Sequence, residues 1–170
     1  MQIRLAGIVK ESVTDGPGFR YAIFTQGCAH ACEGCHNPET WDFNGGYLSD
    51  TFEIISQLDK NPLLKGITLT GGDPFYQAQP CTVIAKAAHL LGLDVFSFTG
   101  YTFEELIKVA ENDESVASLL SETDFLVDGR FVLAQRSLEL KFRGSENQRI
   151  LNVRQSLEEG KAVLANEYMI

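Results

Sequence analysis

The chain has 170 residues, 44% of them hydrophobic and 22% charged, so one globular domain spanning 1–170 with a real core is expected, rather than two. A formal charge of -9 argues against a nucleic-acid or anionic-membrane footprint, because both need clustered cations. No window reaches the roughly 18 apolar residues of a membrane span, and the opening "MQIRLAGIVKESVTDGPGF" lacks the regions of a secretory signal. The expected compartment is the cytosol, where clustered cysteines point to metal or redox chemistry rather than to structural disulfides.

In chain order, strand-like runs fall at 2–9, 20–27, 66–72, 94–100, 124–131 and 149–153, several apolar and β-branched enough to be buried on both faces. Helical segments lie between them. Residues 50–60 open with Asp50 and Glu53 at capping-box spacing, 102–110 opens with Thr102 and Glu105 likewise, and Pro80 sits where a first turn tolerates it. The turn "DGPGFR" (15–20) reads as a hairpin corner. The alternation predicts βα units and a mostly parallel sheet. A full eight-unit barrel takes about 250 residues, so this chain is expected to form an incomplete (β/α) barrel, open on one side. Three motif-like loops follow strands: the cysteine loop, "GGDP" and "TGYT". In parallel architectures these meet at one rim.

The cysteine loop, "QGCAHACEGCHNPETW" (26–41), holds three of the four cysteines. Cys32, Cys35 and His36 spell CxxCH, a haem attachment pattern, but that chemistry belongs to exported proteins. A dithiol pair at Cys32 and Cys35 leaves Cys28 without a role. Structural zinc needs a fourth ligand from His30, His36 or Cys81, without paired-knuckle spacing. Three thiolates on one loop also suit a [4Fe-4S] cluster, which takes four ligands and would keep one iron open. The small residues Gly27, Ala29, Ala31 and Gly34 let backbone wrap an inorganic core. Spacing alone leaves these readings open. Cys81, heading an apolar helix, reads as a small buried hydrophobe, His89 as a helix-surface residue and Trp41 as core. His30 and His36 are either solvated or donors to cluster sulfurs.

With "TLTGGDP" (68–74) following CxxxCxxC, the sequence resembles the radical S-adenosylmethionine (SAM) superfamily. "VTDGPGFRYAIFTQGCAHACEGCHNPETWDFNGG", "FTGYTFEEL", "VDGRF" and "LKFRGSENQRIL" narrow the resemblance to the activating proteins of anaerobic (class III) ribonucleotide reductases, over residues 5 to 153. The resemblance implies a cluster at Cys28, Cys32 and Cys35, with SAM chelating the fourth iron. Gly71, Gly72 and Asp73 occupy the motif that receives the methionyl amino group, and Ser97 and Thr99 lie where relatives place ribose or methionyl contacts. Many superfamily members carry an aromatic residue before the last cysteine. Here that residue is Gly34, which leaves His36 or a later loop to meet the adenine. The implied partners are the glycyl radical reductase, with the Asp15 turn near the docking rim, and a flavodoxin- or ferredoxin-like electron donor. Arg143 and Arg149, flanking "GSENQ", are candidates for a carboxylate of SAM or of the partner. The resemblance also keeps open an activase for another glycyl radical enzyme or a deazaguanine-type synthase. A zinc protein and a non-catalytic adaptor module remain the readings outside radical chemistry.

Overall fold

β1 (Gln2–Ser12) and β2 (Phe19–Thr25) are joined by a turn too short for a crossover, so they pair antiparallel, Ile8 opposite Ile23. The hairpin corner is thus as expected. The computed structural model describes residues 1–169, and among them seven strands form one sheet in the order β3 (Tyr47–Asp50), β1, β2, β4 (Leu64–Gly71), β5 (Asp94–Phe98), β6 (Phe125–Asp128) and β7 (Arg149–Asn152). β3 (Tyr47–Asp50) pairs antiparallel with the outer side of β1. It was not expected: four largely exposed edge residues carry no alternation.

From β2 onward the chain winds as βα units: β4 (Leu64–Gly71), α2 (Ala78–Leu90), β5 (Asp94–Phe98), α3 (Phe103–Ala110), α4 (Glu114–Ser121) and β6 (Phe125–Asp128). β2, β4, β5 and β6 are parallel neighbours. β7 (Arg149–Asn152) returns antiparallel to β6, because the segment between them carries no crossover helix. Five of the seven strands run the same way, and the sheet ends in two edges instead of closing, as an incomplete barrel does. Asp50 caps α1 (Thr51–Leu58) by accepting from the Phe52 amide, and Thr102 caps α3 by accepting from that of Glu105. No described helix is long and apolar enough to cross a membrane.

The sheet buries two apolar faces. Leu5, Ile23, Ile67, Leu69 and Val95 pack on the helices, with Cys81 fully enclosed among them. On the opposite face Phe96, Val127 and Ile150 meet Ala165, Tyr168 and Met169, which follow α5 (Val153–Glu159). That final segment also pairs with β7 through the Leu151–Leu164 bridge, covering an edge that would otherwise be free. Arg20 is fully buried: it donates to Thr68 Oγ1 (2.8 Å), Pro17 O (3.0 Å) and Ile67 O (2.7 Å) and pairs with Asp94. A buried guanidinium is tolerable only when its donors are spent in this way.

His89, at the end of α2, is held between Glu122 and Asp124, each 2.8 Å from a ring nitrogen. Burial disfavours the imidazolium, but hydrogen bonds to Asp124 and Glu122 outweigh it and raise the pKa. The stability this contributes is fully present below the unfolded pKa of about 6.5 and is lost as pH rises through the higher folded value. Accordingly, His89→Gln should lower the urea midpoint more at pH 5.5 than at pH 8.5, and an equal loss at both would contradict the assignment.

Candidate metal centre

The cysteine loop leaves β2 at its carboxyl end and is tied shut at its base. Gly27 N donates to Thr40 O (2.7 Å), Cys28 N to Trp41 O (3.3 Å), and the Gln26 side chain to Glu39 O and Asp42 O. Within this frame Cys35 N reaches Cys32 O (3.1 Å), while Ala31 and Gly34 take positive φ. The backbone therefore coils around its own centre. Cys28, Cys32 and Cys35 are all half-buried free thiols facing one cavity of about 140 Å³.

The other walls come from the ends of the parallel strands: Thr70, Gly71 and Gly72 where β4 ends, Phe98 to Gly100 where β5 ends, and Gly129 and Phe131 after β6. The expected meeting of loops at one rim is present. Among the described residues, no three His, Cys, Asp or Glu side chains converge tightly enough for a single ion. The thiols instead line the wall of a shared space, which fits a polynuclear body bridging them better than one tetrahedral zinc. Burial pushes the Cys28 thiol up to about 11, opposed by a backbone hydrogen bond at His30 and reinforced by Asp73 and the other two cysteines. A metal binding there must displace that proton.

Asp73 is the hub of the rim. One carboxylate oxygen accepts from Thr99 Oγ1 (2.7 Å) and Gly100 N (2.9 Å) and lies 2.7 Å from His30 Nε2; the other accepts from Phe75 N (3.0 Å). At 1% exposure it faces its partners, and it is not among the residues lining the cavity. A carboxylate with four partners has little capacity left for a ligand's amino group. Gly71 and Gly72 do line the cavity, with bare backbone. His30 is not solvated: its ring is buried, edge-on to Tyr101 at 4.7 Å, and fills the space beside Gly100.

Other expected residues are distributed unevenly. Thr99 lines the cavity, but Ser97 is turned away, with its hydroxyl 3.2 Å from that of Thr123. Alternation explains this, since Phe96 and Phe98 occupy the opposite face of the same strand. Trp41 lines the cavity instead of entering the core. Gly34 is exposed and packs against Phe131 and Leu133; His36 lies 5.3 Å from the Phe131 ring. Phe131, Gln148 and Cys35 are shared with a second, open cavity of about 720 Å³, which also takes in Asp15, His36, Phe142 and Arg143. Arg149 lies outside both, bound to Asp128 and Glu104. The sequence reading missed Gln26, Gln77 and the His30–Asp73 pair. Gln77 donates to Arg4 O and Gln26 O and so links β1 to the cysteine loop.

A family model described as a 4Fe-4S single cluster domain matches residues 14–151. The anaerobic ribonucleoside-triphosphate reductase-activating protein of Vibrio cholerae is 36% identical over 146 residues, covering 80% of this chain and 89% of that protein. The chain belongs to this family of activating proteins. Family members with the same name from Escherichia coli K12 (32% identical; 84% of this chain, 94% of that one) and Enterobacteria phage T4 (34%; 80% and 85%) span similar lengths. Among solved structures, QueE from Escherichia coli aligns with 60% of this chain and 54% of its own at 16% identity, with a TM-score of 0.47.

Proposed function

We propose that the chain is a radical SAM activase that installs a glycyl radical on an anaerobic ribonucleotide reductase. The observation that carries this reading is the sharing of one rim cavity by Cys28, Cys32, Cys35 and the bare backbone of Gly71 and Gly72, beside a larger open cavity. Cys28, Cys32 and Cys35 would hold a [4Fe-4S] cluster, with SAM bound beside it in the same cavity. When bound, the cluster would supply the electron for reductive cleavage of the SAM S–C5′ bond, the chemistry that lets a hydrogen atom be taken from a glycine Cα.

The protein's part is binding, orientation and exclusion of water. Gly71 and Gly72 present backbone carbonyls to the SAM amino group, with Thr99 beside them. Asp73 acts through His30, Thr99 and Gly100 as a positioning residue. Phe131 and His36 supply rings where the chain carries Gly34. No general base is required, since hydrogen leaves as an atom. A flavodoxin- or ferredoxin-like protein is the proposed electron donor.

Anaerobic reconstitution is expected to give a brown protein with about four iron atoms per chain that cleaves SAM to 5′-deoxyadenosine under dithionite. Cys28→Ala, which removes one ligand, should abolish both. A colourless zinc-loaded protein without SAM cleavage would overturn the reading.

A further inference from the structure

Between β6 and β7 the chain runs through residues 129–148 without a helix to carry it across the sheet, folding back on itself with Arg136 bridged to Ser145. Its base is locked. Gln148 accepts from the amides of Gly144 (2.8 Å) and Ser145 (3.1 Å) and donates to Gly129 O (3.0 Å), while Asn147 donates to Arg130 O (2.8 Å). It walls the open cavity that reaches Cys35, through Phe131, Leu138, Leu140, Phe142 and Arg143. Among the described residues, the Arg143 Nε is buried without a hydrogen-bond partner.

Around that mouth the segment presents apolar and basic side chains together. Leu138 is 86% exposed and Leu133 44%. Residues 130–149 hold five Arg and Lys against two acids, Glu139 and Glu146, in a chain of net charge -9. Arg130 and Arg149 are spent on Glu105, Glu104 and Asp128, but among the described residues Arg136 and Lys141 are exposed and carry no ion pair. Two leucines in water beside free cations, on a segment with a preformed shape, describe a protein-docking surface that loses little entropy on binding.

We propose that residues 131–143 dock the reductase, engaging a face of acidic and apolar character around its reactive glycine. This rests on the activase reading above. The segment forms one wall of the cavity mouth, so whatever binds it covers the opening next to Cys35. A protein whose own atom must enter that opening is the occupant this position favours. Elsewhere the acidic surface repels an acidic partner, so the same segment would also set its orientation. Two exposed cations are too few for a nucleic-acid footprint, which spreads over many phosphates.

The test uses reconstituted holoprotein, the reductase and dithionite as the electron source. Arg136→Glu with Lys141→Glu should raise the apparent KM for the reductase in glycyl radical formation roughly tenfold and flatten its salt dependence. Reductase-independent SAM cleavage and iron content should not change. Arg136→Lys with Lys141→Arg should behave as wild type. An unchanged KM in the charge-reversed variant overturns the proposal. So does a loss seen only with a protein electron donor and absent with dithionite, or a change confined to self-association of the chain. If wild-type protein cleaves SAM but neither binds nor activates the reductase, the activase reading itself falls and takes the docking surface with it.

Discussion

Gly72→Ala should destroy the site rather than tune it. A Cβ built on Gly72 would lie 2.4 Å from Gly27 O, 2.8 Å from its carbonyl carbon and 2.9 Å from its nitrogen, all backbone atoms of the cysteine loop. The two loops are held together there by Asp73 N donating to Gly27 O (3.0 Å) and Gly72 N donating to Thr25 O (2.7 Å). No rotamer change relieves a clash with backbone, so the loops must separate. The expected cost is about 3 kcal/mol of stability, the upper end for overpacking, together with loss of most of the iron on reconstitution. Gly71→Ala should be as severe, because Gly71 sits at φ 99° with Thr25 backbone 2.4 Å from the added carbon. Gly7→Ala, in β1 with nothing within 4 Å and an ordinary φ, is the control and should be near neutral. Urea denaturation and iron content check all three. A stable, iron-replete Gly72→Ala protein would show that the two loops need not touch.

Asp73→Asn carries the second large effect. The amide keeps one acceptor for Phe75 N, but on the other side it presents N–H groups to Thr99 Oγ1 and Gly100 N, which themselves donate. Each buried donor left mispaired costs about 1–3 kcal/mol, and three loops lose their common anchor at once. The expected result is a lower Tm of the metal-free protein as well as poor cluster retention. A side chain serving only to bind the SAM amino group predicts the opposite, an unchanged Tm with weakened SAM binding. Thermal unfolding of the metal-free variant separates the two.

Much of this was legible because its determinants are local. Asp50 and Thr102 announce helix starts within four residues, "DGPGFR" forces a hairpin, and three cysteines within eight positions must share a loop. GGDP after a buried strand places that motif at the same rim as the cysteines, since parallel strands end together. What the sequence hid depends on distance. His30 and Asp73 are 43 residues apart and nothing near either names the other. Asp73 therefore reads as a ligand-facing acid until its four partners are seen. The direction of Ser97 is hidden for a simpler reason: its strand is legible, but which face each residue takes depends on what lies across the sheet. The segment 131–143 has neither helical nor strand periodicity. Its role at the cavity mouth follows only from the antiparallel return of β7.

The measurement that bears most directly on the account is EPR of the reductase after anaerobic incubation with reconstituted protein, SAM and dithionite, with 5′-deoxyadenosine counted in parallel. A glycyl radical doublet that depends on Cys28, Cys32 and Cys35 is expected in the reductase, with at least one 5′-deoxyadenosine formed per radical. Radical formation without these cysteines, or 5′-deoxyadenosine production that never yields a radical on the reductase, would contradict it.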